Sequence, residues 1–206
     1  MFGGTFDPVH IGHLAAAVNV RHSLGLERLL LVVANVPWQK AGLRAISPPG
    51  DRLAMVEAAV ADVPGLEAST LELGRGGPSY SADTLAELHE ARPDARLYLV
   101  VGSDVAPQLP SWERIEEVKA LSVLVVVKRP GSRPVTPAGW RTEEVEVPEL
   151  DISSTDLRNR VADGRPLDYL VPPPVIRVIR ERGLYSGGAD EGQRRPSDSQ
   201  VTEPHR

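Results

Sequence analysis

Apolar residues fall into two alternating kinds of segment along the chain. RLLLVVA (28–34), ARLYLVVG (95–102) and LSVLVVVK (121–128) are near-continuous apolar runs rich in Val and Leu. Such runs suit strands buried on both faces of a parallel sheet, where neither side meets water. Between them the apolar positions recur at helical spacing. HIGHLAAAVNVRHSLGL predicts a helix within 10–26, with Leu14, Ala17 and Val18 on one face and Gly25 as its stop. Further helices are expected near 51–62, ending before Pro64, near 81–91 with Ser81 as N-cap, and near 110–121. Strands alternating with helices imply βαβ units with right-handed crossovers, hence an α/β fold.

The last third reads differently. TEEVEVPEL (142–150) is a period-two strand candidate, SSTDLRNRVADG a short helix, and VPPPVIRVIRERGLY a final helix with Pro near its start and Gly183 after it. Residues 186–206 contain almost no aliphatic side chains and are expected to be a disordered tail behind one domain spanning 1–185. At the other end only Met1 and Phe2 precede the first glycines, so a first strand there is short. Buried backbone groups left without a partner cost about 1–3 kcal/mol each, which makes a start upstream of Met1 an expectation that intact mass would test.

Bulk composition narrows the class. With 206 residues, 41% hydrophobic and 25% charged, the chain suits a soluble globular domain with a sizeable core. A net charge of −5 argues against a nucleic-acid scaffold. It leaves room for a small anionic ligand, because a local site can be positive on an acidic protein. The absence of cysteine excludes disulfides and thiolate metal sites and suits a reducing cytoplasm. The apolar runs are too short to span a bilayer, and no secretion leader is expected.

The chemistry concentrates in MFGGTFDPVHIGHL. Asp7-Pro8 resembles a helix entry, with Asp as the cap and Pro in the first turn. Gly3 and Gly4 permit a sharp turn and close approach of a ligand. A strand–glycine–helix junction presents unpaired N–H groups at a positive helix end, which favours phosphate. His10 and His13, three apart with Gly12 between, project from one side of that first turn. A metal-binding pair and a plain surface pair remain alternatives for these residues. The dinucleotide and Walker glycine patterns are absent, and GRGGPS (74–79) reads as an ordinary glycine loop.

With a second stretch, DISSTDLR (151–158), the pattern resembles a known superfamily: nucleotidyltransferases with H-x-G-H and S-S-T-x-x-R signatures. The resemblance implies a Rossmann-like doubly wound parallel sheet. GPSYSADTLAEL (77–88), VVGSDVAPQLPSW (100–112) and VVVKRPG (125–131) are similar to nicotinate-nucleotide adenylyltransferases, and this likeness runs from residue 1 to about 185. It implies an ATP site built from Gly3, Gly4, Thr5, Phe6, His13, Gly102, Asp104, Ser154, Thr155 and Arg158. His10, His13, Lys40 and Arg158 are implied to stabilise charge during transfer, and Asn35, Thr84 and Trp112 to hold the mononucleotide. Blander roles stay open for several of them: packing for Trp112, a helix-start hydroxyl for Thr84, a solvated Lys40, a strand-end cap for Asp104 and N-capping for Ser153 and Ser154. His22, His89 and His205 are taken as surface or structural. NVPWQK (35–40) departs from the usual N-x-P-P-H-K, with Trp38 in place of a proline and no histidine before Lys40.

The expected reaction joins ATP and nicotinate mononucleotide by direct in-line attack, with Mg²⁺ carried mainly on the ATP phosphates and no protein metal ligands. Neither nucleic acid nor membrane is an expected partner, and a homo-oligomer stays open. Competing readings are a relative acting on another phosphate-bearing acceptor, and a nucleotide-binding module without catalysis.

Overall fold

The computed structural model describes residues 1–37, 46–128 and 138–186. Each of the three expected apolar runs holds a strand, β2 (Leu29–Val33), β4 (Leu97–Gly102) and β5 (Ser122–Lys128), and the short first strand is β1 (Phe2–Gly4). β6 (Thr142–Glu146) stops short of the expected 150, two residues before Pro148, whose missing N–H would break a longer ladder. β3 (Leu66–Ser69) was not expected. Its four residues, LEAS, carry neither an apolar run nor clear alternation.

All six strands are parallel, in the order β3-β2-β1-β4-β5-β6. The helices are α1 (Ile11–Ser23), α2 (Pro49–Val60), α3 (Leu71–Arg75), α4 (Ser81–Ala91), α5 (Ile115–Leu121), α6 (Ser154–Ala162) and α7 (Pro173–Glu181). They cover both faces of the sheet, as period-two alternation in the central strands requires. Val100 and Val125 point into a core shared with α1, α2, α6 and α7. Their neighbours Leu99, Val101, Leu124 and Val126 point into a second core under α4 and α5. The doubly wound arrangement is therefore built by side chains one residue apart.

Local signals explain most helix bounds. Ser153 caps α6, its hydroxyl accepting from Asp156 N–H at 3.1 Å. Pro173 sits in the first turn of α7, where its missing N–H costs nothing, and Val175, Ile176 and Ile179 bury one face of that helix. Three expectations are corrected. Tyr80 is the N-cap of α4, with Ser81 its first helical residue. Val18 faces water, while Ala16, Ala17 and Val20 form the buried side of α1. The helix expected over 110–121 is two pieces: a 3₁₀ turn over Ala106–Ser111 and α5, separated by Arg114 at φ +49°. Lys40 and Trp38 lie outside the described residues, as does the tail beyond 186.

Candidate active site

β1 has β2 on one side and β4 on the other, so the chain leaves the sheet in opposite directions around it. A crevice opens where strand order reverses in this way, at the carboxyl ends of the strands. Here it has two connected lobes sharing Phe2, Gly3, Gly4, Thr5, Gly102 and Val105. The first, of ≈ 470 Å³, adds Phe6, Asp7, His10, His13, Asp104, Ser154, Thr155 and Arg158. The second, of ≈ 240 Å³, adds Ala34, Pro37, Glu72, Ser79, Tyr80, Ser81 and Trp112 among others.

The first lobe unites the two signature stretches. α1 and α6 both begin at it, so two positive helix ends flank the same space. His10 is the N-cap of α1, and its backbone N–H donates to His13 Nδ1 at 3.3 Å. The two rings lie 3.8 Å apart between centroids, and His13 meets the Phe6 ring edge-on at 5.1 Å. Two glycines are favoured by close contact. A Cβ at Gly12 would stand 3.1 Å from the His10 ring, and one at Gly4 would stand 2.7 Å from the Phe6 ring. His10 is buried, and burial lowers its pKa to about 4, so its imidazole is neutral near pH 7. Its Nδ1 is buried with no hydrogen-bond partner among the described residues.

Across the lobe, Ser154 Oγ donates to Pro8 O at 2.9 Å. Arg158 Nη1 donates to Asp7 O at 2.8 Å and its Nη2 to Thr155 Oγ1 at 3.1 Å. The guanidinium is thus held in place from both sides before any ligand arrives. Asp104 is exposed at the end of β4, and a Cβ at Gly102 would overlap its Oδ1. An exposed carboxylate at that strand end is suited to accepting hydrogen bonds from sugar hydroxyls.

The second lobe is more apolar and differs from expectation. Trp112 does line it, because the break between the 3₁₀ turn and α5 leaves this residue in extended backbone rather than on a helix face. Its Nε1–H is buried without a partner among the described residues. Tyr80 and Ser81 bring the start of α4 to the wall, so the positive end of that helix faces this lobe.

Thr84 and Asn35 are not among the lining residues. The Thr84 side chain is fully buried, donating to Glu72 Oε1 at 2.8 Å and accepting from Arg75 Nη2 at 3.0 Å, while its backbone N–H goes to Tyr80 O. Asn35 ties two loops together: its N–H donates to Ser79 Oγ at 2.8 Å and its Nδ2 to Gly77 O at 2.9 Å. Both therefore shape the lobe from behind.

Several residues prove central in roles that the sequence did not signal. Asp7, expected as a helix cap, precedes a cis peptide and lies three residues before the true cap. Its carboxylate is buried and accepts from Tyr185 Oη at 2.7 Å and Ser47 N–H at 3.5 Å. Arg52 is 1% exposed and donates to four backbone carbonyls: Thr5 and Ala34 beyond β1 and β2, Asn35, and Ser47. Glu72 is a buried carboxyl whose pKa is raised by that burial. The partners of these groups are mostly backbone atoms or distant residues, which leave no local pattern. For Arg52 and Glu72 the available hint is a charged residue within an apolar helical stretch.

Comparison with known proteins agrees with this geometry. The family model of cytidylyltransferase-like proteins matches residues 1–160. A protein of Saccharopolyspora erythraea named "Probable nicotinate-nucleotide adenylyltransferase" is 42% identical, with 92% of this chain and 90% of that one covered. One of the same name from Streptomyces coelicolor is 44% identical, covering 90% and 99%. Among solved structures, the nicotinic acid mononucleotide adenylyltransferase of Plasmodium falciparum complexed with NaAD superposes with a TM-score of 0.73. At 18% identity over 89% of this chain and 95% of that one, it attests to the fold.

Proposed function

The chain belongs to the nicotinate-nucleotide adenylyltransferase family, and from that premise and the two-lobed cleft we propose that it transfers AMP from ATP to nicotinate mononucleotide, releasing pyrophosphate. The observation that carries this reading is the meeting of both signatures in one lobe, with Ser154, Thr155 and Arg158 opposite His10 and His13. The single catalytic domain would span residues 1–185, and a reducing cytoplasm suits a chain without cysteine.

The acceptor phosphate is largely dianionic near neutrality, so it attacks without a general base. Its oxygen forms a bond to the α-phosphorus of ATP while the bond to the β-phosphate oxygen breaks. Pyrophosphate departs with that electron pair. The protein's contribution is alignment and stabilisation of the charge that builds on the transferring and leaving oxygens. Arg158 supplies fixed positive charge, Thr5 and Thr155 supply hydroxyl donors, and Ser154, whose O–H is given to Pro8 O, fixes the loop that faces them. His10, neutral through burial, acts as a hydrogen-bond donor rather than as a cation. Lys40 is assigned to the same charge by resemblance. Mg²⁺ would arrive on the ATP phosphates and keep waters as its other ligands.

The second lobe takes the pyridine ring against Trp112. The positive start of α4 offers donors to a carboxylate. A carboxamide would turn its own NH₂ toward those donors, and unpaired polar groups discriminate strongly. The test is pyrophosphate release with ATP and Mg²⁺, comparing nicotinate mononucleotide with nicotinamide mononucleotide. A rate at least tenfold higher with the acid is expected. Equal or greater activity on the amide would overturn the acceptor assignment. ATP binding without turnover on either acceptor would point to a binding module.

A further inference from the structure

Tyr185 sits just past α7 with φ +65°, a backbone conformation that non-glycine residues seldom adopt. Its ring is held against the core, and its hydroxyl reaches the buried Asp7 carboxylate at 2.7 Å, 178 residues away in sequence. Met55 Sδ lies 3.8 Å from the same oxygen. Burial and the neighbouring carboxylate push Tyr185 ionisation far above its ordinary value. The hydroxyl therefore remains a donor at any working pH.

The position of Asp7 gives this contact consequences. The Asp7 carbonyl accepts from Arg158 Nη1 and the Pro8 carbonyl accepts from Ser154 Oγ. One dipeptide is thus gripped through its side chain by the C-terminal segment, while its two carbonyls orient two lining residues of the phosphate lobe. α7 does not need this hydroxyl to dock. It packs on α2 through Val175, Ile176 and Ile179, and Arg182 Nη1 pairs with Asp51 Oδ1 at 2.6 Å.

We propose that Tyr185 is a positioning residue for adenylyl transfer: through the Asp7 carboxylate it sets the Asp7–Pro8 carbonyls that aim Arg158 and Ser154. This rests on the reading of the cleft given above. Tyr185→Phe removes one oxygen and keeps the ring in the core. Its turnover at saturating ATP should fall about tenfold or more, with the KM for nicotinate mononucleotide within twofold, because the second lobe is untouched. Arg182→Ala is the control for docking of α7: it should lower Tm and leave turnover within twofold. In a double-mutant cycle, Tyr185→Phe should cost far less in a Ser154→Ala background than alone, because both act on the same loop.

Turnover of Tyr185→Phe within twofold of the wild type would overturn the proposal. So would losses that simply multiply in the cycle. If Tyr185→Phe does not fold, Asp7→Asn replaces it, with the same expectations and the same overturning results. Wild-type turnover is measured first. Its absence would overturn the functional reading alone, and Tyr185 would then be tested by ATP affinity, which Tyr185→Phe should weaken at least threefold and which an unchanged value would refute.

Discussion

His10 shows how one position carries packing, electrostatics and chemistry together. Its ring is stacked on His13, roofed by the bare Cα of Gly12 and removed from water. Burial disfavours the imidazolium, so the folded pKa is about 4 against an unfolded value of 6.5. The sign follows directly: the unfolded chain binds this proton first as pH falls. His10 thus supports the fold fully above pH 6.5 and loses that support between 6.5 and 4. From pH 7 to 4.5 the loss is about 2–3 kcal/mol. Urea unfolding at the two pH values should show His10→Gln losing less stability on acidification than wild type by about this amount; identical acid losses would refute it. The histidines and their spacing were legible in the sequence because the motif is local. That Gly12 leaves room between the two rings was legible as well, and the structure adds the contact, a Cβ there standing 3.1 Å from the His10 ring. Thr84 and Asn35 show the limit: their positions were legible, but the directions of their side chains were set by Glu72, Arg75 and Gly77, which no periodicity reveals.

Elements are legible in the sequence where burial imposes a pattern. β2, β4 and β5 are buried on both faces and announced themselves as apolar runs. β3 and α3 are too short to build a period, and they went unread. The helix expected through Trp112 failed for a physical reason: Pro110 and the left-handed Arg114 interrupt it, and the interruption is what frees the indole for the second lobe. At the start of α6, two adjacent serines divide their labour. Ser153 faces its own helix and caps it, whereas Ser154 reaches across to Pro8. Ser153→Ala should therefore cost about 1 kcal/mol of stability, with turnover of the folded enzyme largely kept. Ser154→Ala should do the reverse, lowering turnover about tenfold or more with a smaller shift in Tm. Thermal unfolding and pyrophosphate release on the two variants separate the roles, and equal effects of both substitutions would contradict the division.

At the scale of the molecule, alternating strands and helices already implied the parallel sheet, and the strand order then dictates where the crevice opens. What local pattern could not supply is how the segments leaving β1 and β2 are fixed at one wall of the crevice. Arg52 does this from inside α2. Its guanidinium bonds to carbonyls just beyond β1 and β2 and to Ser47, so the segments leaving two paired strands and the entry to α2 are fixed to one planar group. Five N–H donors in a rigid fork match that set of acceptors, whereas a lysine ammonium offers three donors at a single point. Arg52→Lys should therefore leave at least one buried carbonyl unpaired and lose about 1–3 kcal/mol. Arg52→Met abandons all four bonds and should lose on the order of 3–5 kcal/mol. Both should also reduce turnover in the folded fraction, because Thr5 and Ala34 are walls of the cleft as well as Arg52 acceptors. Urea unfolding followed by rate measurement at matched folded fraction checks this. A stable Arg52→Lys with wild-type turnover would show that the segments beyond β1 and β2 hold this wall of the crevice without the fork.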